Sequence, residues 1–210
     1  MSQVKLIEQA SDFAIADWLH RHLTLALAKQ TGRIAINLPG GSTPFPILAE
    51  LALRPLDWTR IDVWPGDDRI VEEASQASNV GRIRAQLEPL GARIVPLTQE
   101  IIPPHFVLTW LGMGADGHIA SLFPNTDPQV HDGQPVRRLL PDPLPPEAPY
   151  PRLTLTIPAL LDADQVLFVI RGADKRELFE AAMRREHDLP VARLLAAAGQ
   201  LADCPVTCFA

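Results

Sequence analysis

Apolar positions recur along this chain with two different spacings, one typical of helices and one typical of buried strands. Between residues 12 and 29 they recur every three or four positions, and Ser11 or Asp12 can cap the segment, so the pattern predicts a helix. The run at 33–38 is almost continuously apolar and predicts a buried strand, after which Pro44 fits the first turn of a second helix. The chain therefore opens as helix, strand, turn and helix.

The same alternation continues toward the C-terminus. Strands are predicted at 60–64, 93–97, 105–111, 152–157, 165–170 and 205–209, and helices at 79–90, 174–184 and 190–198. Apolar strands that alternate with helices form a mostly parallel sheet with helices on both faces. The pattern therefore predicts the α/β class, with residues 1–210 as a single domain in three layers.

One long segment does not follow the alternation. Residues 124–151 carry nine prolines and few periodic apolar positions, which predicts a long surface loop or a lid. We predict no domain boundary there, because the segments at 105–111 and 152–157 have the character of strands of one sheet.

Composition narrows the class of protein. The 210 residues are 47% hydrophobic and 21% charged, which is typical of a soluble globular protein. The N-terminus lacks the features of a signal peptide and no apolar run reaches the roughly 18 to 20 residues of a membrane helix, so we expect a cytoplasmic protein without a membrane partner. The net charge of −6 argues against nucleic acid as a partner, because phosphate backbones select clustered basic residues.

The cysteines and the first histidines give no sign of a disulfide or a metal site. Cys204 and Cys208 would lie about 13 Å apart on a strand, too far for a disulfide, so we expect reduced thiols. His20 and His22 point in different directions on the first helix and do not pair as metal ligands. We therefore predict no metal.

The first candidate site is the turn Gly40-Gly41-Ser42-Thr43, between the strand at 33–38 and the helix at Pro44. Ligands of parallel sheets bind beyond the carboxyl ends of the strands. Glycines let backbone N–H groups approach an anion, the helix start is positive, and two hydroxyls add donors. The alternative is an ordinary turn with a Ser/Thr cap. The turn has no Gly-Lys-Ser/Thr of a Walker loop, and Pro44 replaces the last glycine of a nucleophile elbow.

Two further clusters also follow strands. Asp67-Asp68-Arg69 comes after 60–64 and can bind hydroxyls or position a base, or it is a solvated acidic loop with Ser78 capping the next helix. Lys175 stands in the first turn of a helix, against the dipole preference, which suits a residue that meets an anion there. Arg152 is a weaker candidate of the same kind, and both can equally be ordinary surface residues.

The last cluster runs from Gly112 to His118. It contains a literal G-x-G-x-x-G, but Pro124 and Pro128 leave too little room for the long helix of a dinucleotide site. His118 stands beside Asp116 where glycines expose the backbone, and imidazoles, which titrate near neutral pH, suit general-base catalysis. A purely structural histidine is the alternative.

Taken in order, four segments resemble the 6-phosphogluconolactonases: LPGGSTPFPIL, GDDRIVEEASQASN, LGMGADGHIASLFP and RLTLTIPALLDADQVLFVIRGADK. The resemblance runs from about Ala35 to Leu195. It implies a Rossmann-like α/β fold shared with glucosamine-6-phosphate deaminases and related to ribose-5-phosphate isomerases. It also implies hydrolysis of 6-phosphogluconolactone, the second step of the oxidative pentose phosphate pathway, with no metal and no cofactor.

The resemblance also implies roles for residues. His118 would be the general base, and Asp67 or Asp116 would orient the imidazole or the sugar. The substrate and its phosphate would be bound by Gly40, Gly41, Ser42, Thr43, Arg69, Arg152 and Lys175. The chain departs from the family pattern in a short 97–105 region, in Val71-Glu72, and in lacking a histidine before Ser78-Asn79.

Three other functions remain open at this stage. A glucosamine-6-phosphate deaminase would follow its Asp-Gly-His-Ile-Ala with Phe-Asn-Glu-Pro, whereas Ser121-Leu122-Phe123-Pro124 lacks that carboxylate. A non-catalytic sugar-phosphate sensor would keep Thr43 and Lys175 without needing His118, but 210 residues leave no room for the usual helix-turn-helix domain. A serine hydrolase using Ser42 lacks the strained elbow. The sequence does not indicate the oligomeric state or which cation contacts phosphate.

Overall fold

The computed structural model describes residues 4–140, 142 and 149–210 of the chain. Its strands are β1 (Val4–Ile7), β2 (Ile34–Leu38), β3 (Ile61–Pro65), β4 (Asp67–Arg69), β5 (Arg93–Ile94), β6 (Leu108–Leu111), β7 (Val136–Leu139), β8 (Arg152–Leu155), β9 (Val166–Val169) and β10 (Val206–Phe209). Its α-helices are α1 (Asp12–Lys29), α2 (Pro44–Ala52), α3 (Asn79–Leu87), α4 (Ile157–Leu161), α5 (Ala173–Met183) and α6 (Pro190–Ala197).

A parallel sheet forms the centre of the fold and confirms the predicted α/β class. Within the described residues its strand order is β1-β10-β9-β6-β2-β3-β5, and every neighbouring pair is parallel. Side chains of β9 alternate between two cores: Val166 and Phe168 belong to one, Leu167 and Val169 to the other. Successive residues of a strand point to opposite faces, so both faces of the sheet are covered.

A second, antiparallel sheet of order β4-β8-β7 corrects the prediction for the middle of the chain. We predicted that 152–157 belongs to the same sheet as 105–111, and this is wrong, because β8 pairs with β4 and β7. The strand β7 lies inside the segment 124–151 that we predicted to be a loop. Its sequence VRRL is too short and too polar for its periodicity to indicate a strand, and it forms by pairing with β8. Residues 141 and 143–148 of that segment lie outside the described residues.

Smaller differences occur at the ends of elements. The edge strand β1 was not predicted, because four residues carry too little periodicity. The predicted strand 152–157 ends early, since α4 begins at Ile157. Both cysteines are buried thiols that form no disulfide within the described residues, as predicted, and burial raises the pKa of Cys204 to about 11 and of Cys208 to about 12. Among the described helices, none has the length and apolar character needed to span a membrane.

His105 lies before β6, at the end of the sheet where the central strands begin, and bridges two carboxylates. Its Nδ1 lies 2.6 Å from Asp162 and its Nε2 lies 3.0 Å from Asp164. These hydrogen bonds, first to Asp162 and then to Asp164, raise the pKa of His105. A histidine whose pKa is higher in the folded protein adds stability below the ordinary value of about 6.5, and this contribution is lost as the pH rises through the raised value.

We therefore expect the His105→Gln variant to be less stable than the wild type in urea unfolding at about pH 5.5 and nearly equal to it at about pH 9. All three side chains are more than half exposed, so the difference should stay within about 1 kcal/mol. His20→Gln is the control, because His20 bonds only a backbone carbonyl, that of Pro55. An equal deficit of His105→Gln at both pH values would contradict the charge-based explanation.

Candidate active site

A cavity of about 300 Å³ lies at the carboxyl ends of the central strands. The segments that follow β2, β6 and β9 form one side of it, and β4 and β8 of the small sheet form the other. All of the predicted site residues except Asp116 line it: Gly40, Gly41, Ser42, Thr43, Asp67, Arg69, His118, Arg152 and Lys175. The structure thus brings clusters from four distant parts of the sequence to one place.

The glycine turn after β2 forms one wall. A Cβ at position 40 would lie 2.1 Å from Oδ1 of Asn79, so only glycine allows α3 to approach this closely. Gly41 has a φ of +83°, in the left-handed region that favours glycine. Thr43 stands at the start of α2, but its side chain makes no capping hydrogen bond. The alternative of a Ser/Thr cap is therefore wrong for Thr43, which lines the cavity.

The adjacent acids Asp67 and Asp68 have different environments. Asp68 accepts hydrogen bonds from the backbone N–H groups of Asn79, at 2.6 Å, and Val80, at 3.1 Å. Burial raises the pKa of Asp68, against the effect of those backbone bonds. Ser78 caps α3 by accepting from the N–H of Gly81 at 3.0 Å, as predicted. Asp68 therefore stabilises the start of α3 and does not line the cavity.

Asp67 on β4 is buried and lines the cavity, and its side chain is bonded by residues of other segments. Ser121 donates its hydroxyl to Oδ2 of Asp67. The amide of Asn79 donates to the backbone carbonyl of Asp67 at 2.9 Å and to its Oδ1 at 3.3 Å. Arg152 approaches Oδ2 to 3.9 Å. Asp67 is thus held by neighbours on three separate segments.

Four basic side chains, those of Arg69, Arg152, Arg171 and Lys175, are among the described residues that line the cavity, and they give it a positive character in a chain of net charge −6. Arg69 and Arg152 are directly opposite each other on β4 and β8. Burial lowers the pKa of Arg152, and the charge of Arg69 lowers it further, against the effect of Asp67. Lys175 donates to the carbonyl of Met113 at 2.9 Å. Asp67 is the only carboxylate among the described residues that line the cavity, so the site suits an anion.

His118 and Asp116 form a pair at the mouth of the cavity. Nδ1 of His118 lies 2.6 Å from Oδ1 of Asp116. Burial disfavours ionisation of Asp116, but the charge of His118 and hydrogen bonds from its backbone and ring keep the pKa of the carboxyl below its usual value. An ionised Asp116 accepts a hydrogen bond from the Nδ1–H of His118, which leaves the lone pair on Nε2. The ring also packs on Phe123, with centroids 4.6 Å apart.

The loop that carries His118 is built by close contacts. A Cβ at position 114 would lie 2.2 Å from Nδ1 and Cε1 of the imidazole. Gly114 donates its N–H to the carbonyl of His118 at 2.9 Å, which closes the loop behind the ring. Ala120 has a φ of +48°, which is unfavourable for alanine. The backbone here is shaped to hold the imidazole in one place.

Comparison with known proteins agrees with this geometry. The family model described as glucosamine-6-phosphate isomerases/6-phosphogluconolactonase matches residues 8–101 and 92–202. The chain belongs to this family. The resemblance drawn from the sequence is thereby confirmed.

Relatives within the family share most of its length. The 6-phosphogluconolactonase of Pseudomonas aeruginosa is 37% identical over 199 residues, covering 83% of this chain and 82% of the relative. That of Mesorhizobium japonicum is 33% identical over 206 residues, covering 88% and 86%. A solved 6-phosphogluconolactonase from Shewanella baltica superposes with a TM-score of 0.82, covering 99% of this chain and 97% of the other, at 23% identity. That structure shows that the fold is shared.

Some residues of the site were missed by the sequence analysis. Asn79 lines the cavity and bonds both Asp67 and Arg69, and Ser121 bonds Asp67, yet neither was assigned a role. Asn79 stands in the Ser78-Asn79 pair, but its proximity to Gly40 depends on tertiary packing. In the part of the chain that the structure describes, no cluster of three or more His, Cys, Asp or Glu residues could hold a metal ion.

Proposed function

We propose that this protein hydrolyses 6-phospho-D-glucono-1,5-lactone to 6-phospho-D-gluconate, acting in the cytoplasm as a single domain. The observation that carries the proposal is the His118–Asp116 pair at 2.6 Å, on a cavity that several basic side chains line. A histidine with an ordered partner supplies a base, and the cations suit a phosphate ester. The names of the relatives, all 6-phosphogluconolactonases, support the same substrate.

In the proposed mechanism, Asp116 orients the imidazole and His118 acts as the base. Nε2 takes a proton from water as the water oxygen attacks the lactone carbonyl carbon, giving a tetrahedral intermediate. Collapse of the intermediate breaks the bond from that carbon to the ring oxygen, which takes the proton back from the imidazolium. The products are a carboxylic acid, which ionises, and a free hydroxyl. Backbone N–H groups of the turn at Gly40 and Gly41 would stabilise anionic oxygens, since both residues line the cavity.

The phosphate would be held by Arg69, Arg152 and Lys175, with help from the hydroxyls of Ser42 and Thr43. Asp67 is bonded to Ser121 and Asn79, so its contribution is to position these neighbours and the sugar and not to move the proton. The sequence analysis could not decide whether Asp67 or Asp116 orients the imidazole. In the proposed mechanism Asp116 orients the general base, and Asp67 contributes to substrate binding.

The site favours this function over the deaminase. The segment after His118 places Ser121 in the core, and no described cavity-lining residue supplies a carboxylate apart from Asp67. A sensor would not require the Asp116–His118 pair. We therefore retain the lactonase as the single proposed activity.

The test is a direct assay of lactone loss. The lactone is generated in situ in buffer with a chelator, and its disappearance is followed with and without the protein. We expect acceleration over the spontaneous rate that survives the chelator. If there is none, the proposal fails, and glucosamine 6-phosphate is the next substrate to try.

A further inference from the structure

The hydroxyl of Ser121 lies between two buried charges. Ser121 is fully buried, three residues after His118. It donates to Oδ2 of Asp67 and accepts from the guanidinium of Arg152 at 3.4 Å. The guanidinium nitrogen and that same carboxylate oxygen are 3.9 Å apart, too far for a hydrogen bond. The serine oxygen therefore separates the ion pair.

Such a separation is unusual for an arginine and a carboxylate. Opposite charges that are shielded from water attract strongly, and the planar guanidinium prefers to bind a carboxylate directly through two N–H groups. Asp67 on β4 and Arg152 on β8 belong to adjacent paired strands, with Asp67 opposite Thr154 and Arg69 opposite Arg152. The strand pairing keeps the two side chains close enough to meet, and the hydroxyl occupies the space between them.

Ser121 is itself held in place by contacts of its backbone. Its N–H donates to Oγ1 of Thr154 at 3.2 Å. The preceding Ala120 adopts a φ of +48°, and Leu122 donates to the carbonyl of Ile119 at 2.9 Å, which closes a tight turn. Because the turn fixes the position of the serine independently of the two charges, the hydroxyl can act as a rigid spacer.

The aromatic ring of Phe123 supports the same arrangement. Arg152 lies over this ring, with its Cζ 5.3 Å from the centroid, and the His118 ring packs against the same ring. A guanidinium that moved toward Asp67 would leave this position in the cavity wall. The distance between Asp67 and Arg152 thus affects where a cation is presented to the ligand.

We propose that Ser121 is a positioning residue whose hydroxyl keeps Arg152 apart from Asp67 and thereby sets the affinity for the anionic ligand. The inference rests on the proposed function in one respect, which is that Arg152 binds the substrate. Ser121 takes no part in the proton transfer. Its loss lets the ion pair close, which weakens ligand binding and does not destabilise the fold.

The test compares Ser121→Ala with the wild type in steady-state kinetics, in calorimetric binding of 6-phosphogluconate, and in thermal unfolding. We expect KM and the Kd of 6-phosphogluconate to rise about tenfold, the equivalent of one charge-assisted contact, while kcat changes by less than about threefold. The unfolding temperature should not fall. The matched control is Thr156→Val: Thr156 is buried between β8 and α4 and donates to the carbonyl of Gln134 at 2.9 Å, so this variant should lose stability with KM unchanged.

Ser121→Cys separates a spacer from a hydrogen-bonding role. The thiol fills the same space but is a weak donor, so a spacer predicts a Kd within about threefold of the wild type, and a hydrogen-bonding role predicts the alanine value. An unchanged Kd in Ser121→Ala, or a Ser121→Ala protein that unfolds more easily or does not fold, would overturn the inference.

The binding measurement also separates the two proposals. A wild-type protein that binds 6-phosphogluconate, weakens about tenfold in Ser121→Ala, and does not accelerate lactone loss would refute the proposed activity and support the spacer. A wild-type protein that neither binds 6-phosphogluconate nor accelerates lactone loss would overturn both the proposed activity and the inference about Ser121.

Discussion

Replacing His118 with alanine should lower turnover of the lactone by about 10² to 10⁴-fold, the usual contribution of a general base. Among the described residues that line the cavity, the imidazole alone combines a carboxylate partner with a lone pair able to accept a proton from water. The cations that would bind the phosphate are not altered, so KM should change little. The measurement is the initial rate of lactone loss with the spontaneous rate subtracted.

Two variants make this result specific to the pair. Asp116→Asn keeps an acceptor near Nδ1 but removes the charge that favours the imidazolium, so its loss should be smaller than that of His118→Ala. His20→Ala serves as the control, because His20 bonds the carbonyl of Pro55 and does not line the cavity. Full activity in His118→Ala would remove the histidine from the mechanism.

The Gly114→Ala variant should lose about 10²-fold in turnover, the scale expected for a displacement of about 1 Å in a catalytic group. The added methyl would lie 2.2 Å from Nδ1 and Cε1 of the His118 ring and 2.6 Å from Asp116. Neither distance is compatible with van der Waals contact, so the imidazole must move from its position. Circular dichroism should show that the fold persists, because the clash is with side chains at the surface of the loop.

A double variant tests whether Gly114→Ala acts by displacing the His118 imidazole. In the His118→Ala background the imidazole is absent and the Asp116 carboxylate no longer has to hold it, so adding Gly114→Ala should lower turnover little further. When two substitutions act through the same group, their separate effects on turnover do not add. A further loss as large as that in the wild-type background would indicate that Gly114 acts on another part of the site.

The parts of the fold with strong local signals could be predicted from the sequence. The bounds of α1 match the prediction of 12–29, because 18 residues of regular spacing and a serine cap specify them. The glycine turn and the His118 loop were found because glycines and polar residues directly follow apolar strands. By contrast, β7 and β4 depend on pairing with β8, a contact between distant segments that no local pattern encodes.

The roles of neighbouring polar residues were the least predictable part of the site. Asp67 and Asp68 are equivalent in sequence, but successive residues on β4 point to opposite faces, and only the strand pairing decides which one faces the cavity. In the sequence, nothing distinguishes Ser121 from an ordinary serine three residues after a histidine. Its position between Asp67 and Arg152 appears only when three segments are brought together.

The direct pairing of Arg69 with Arg152 across β4 and β8 has a consequence for the rate at which the protein is degraded in the cell. Like charges on facing strand positions repel, so the small sheet is weaker when the cavity is empty than when an anion neutralises both. A ligand that binds only the folded state, at a concentration 100 times its Kd, adds about 2.7 kcal/mol to stability. Proteases act on opened molecules. A cell with abundant sugar phosphate would therefore degrade this enzyme more slowly, and its amount would follow the supply of its own substrate.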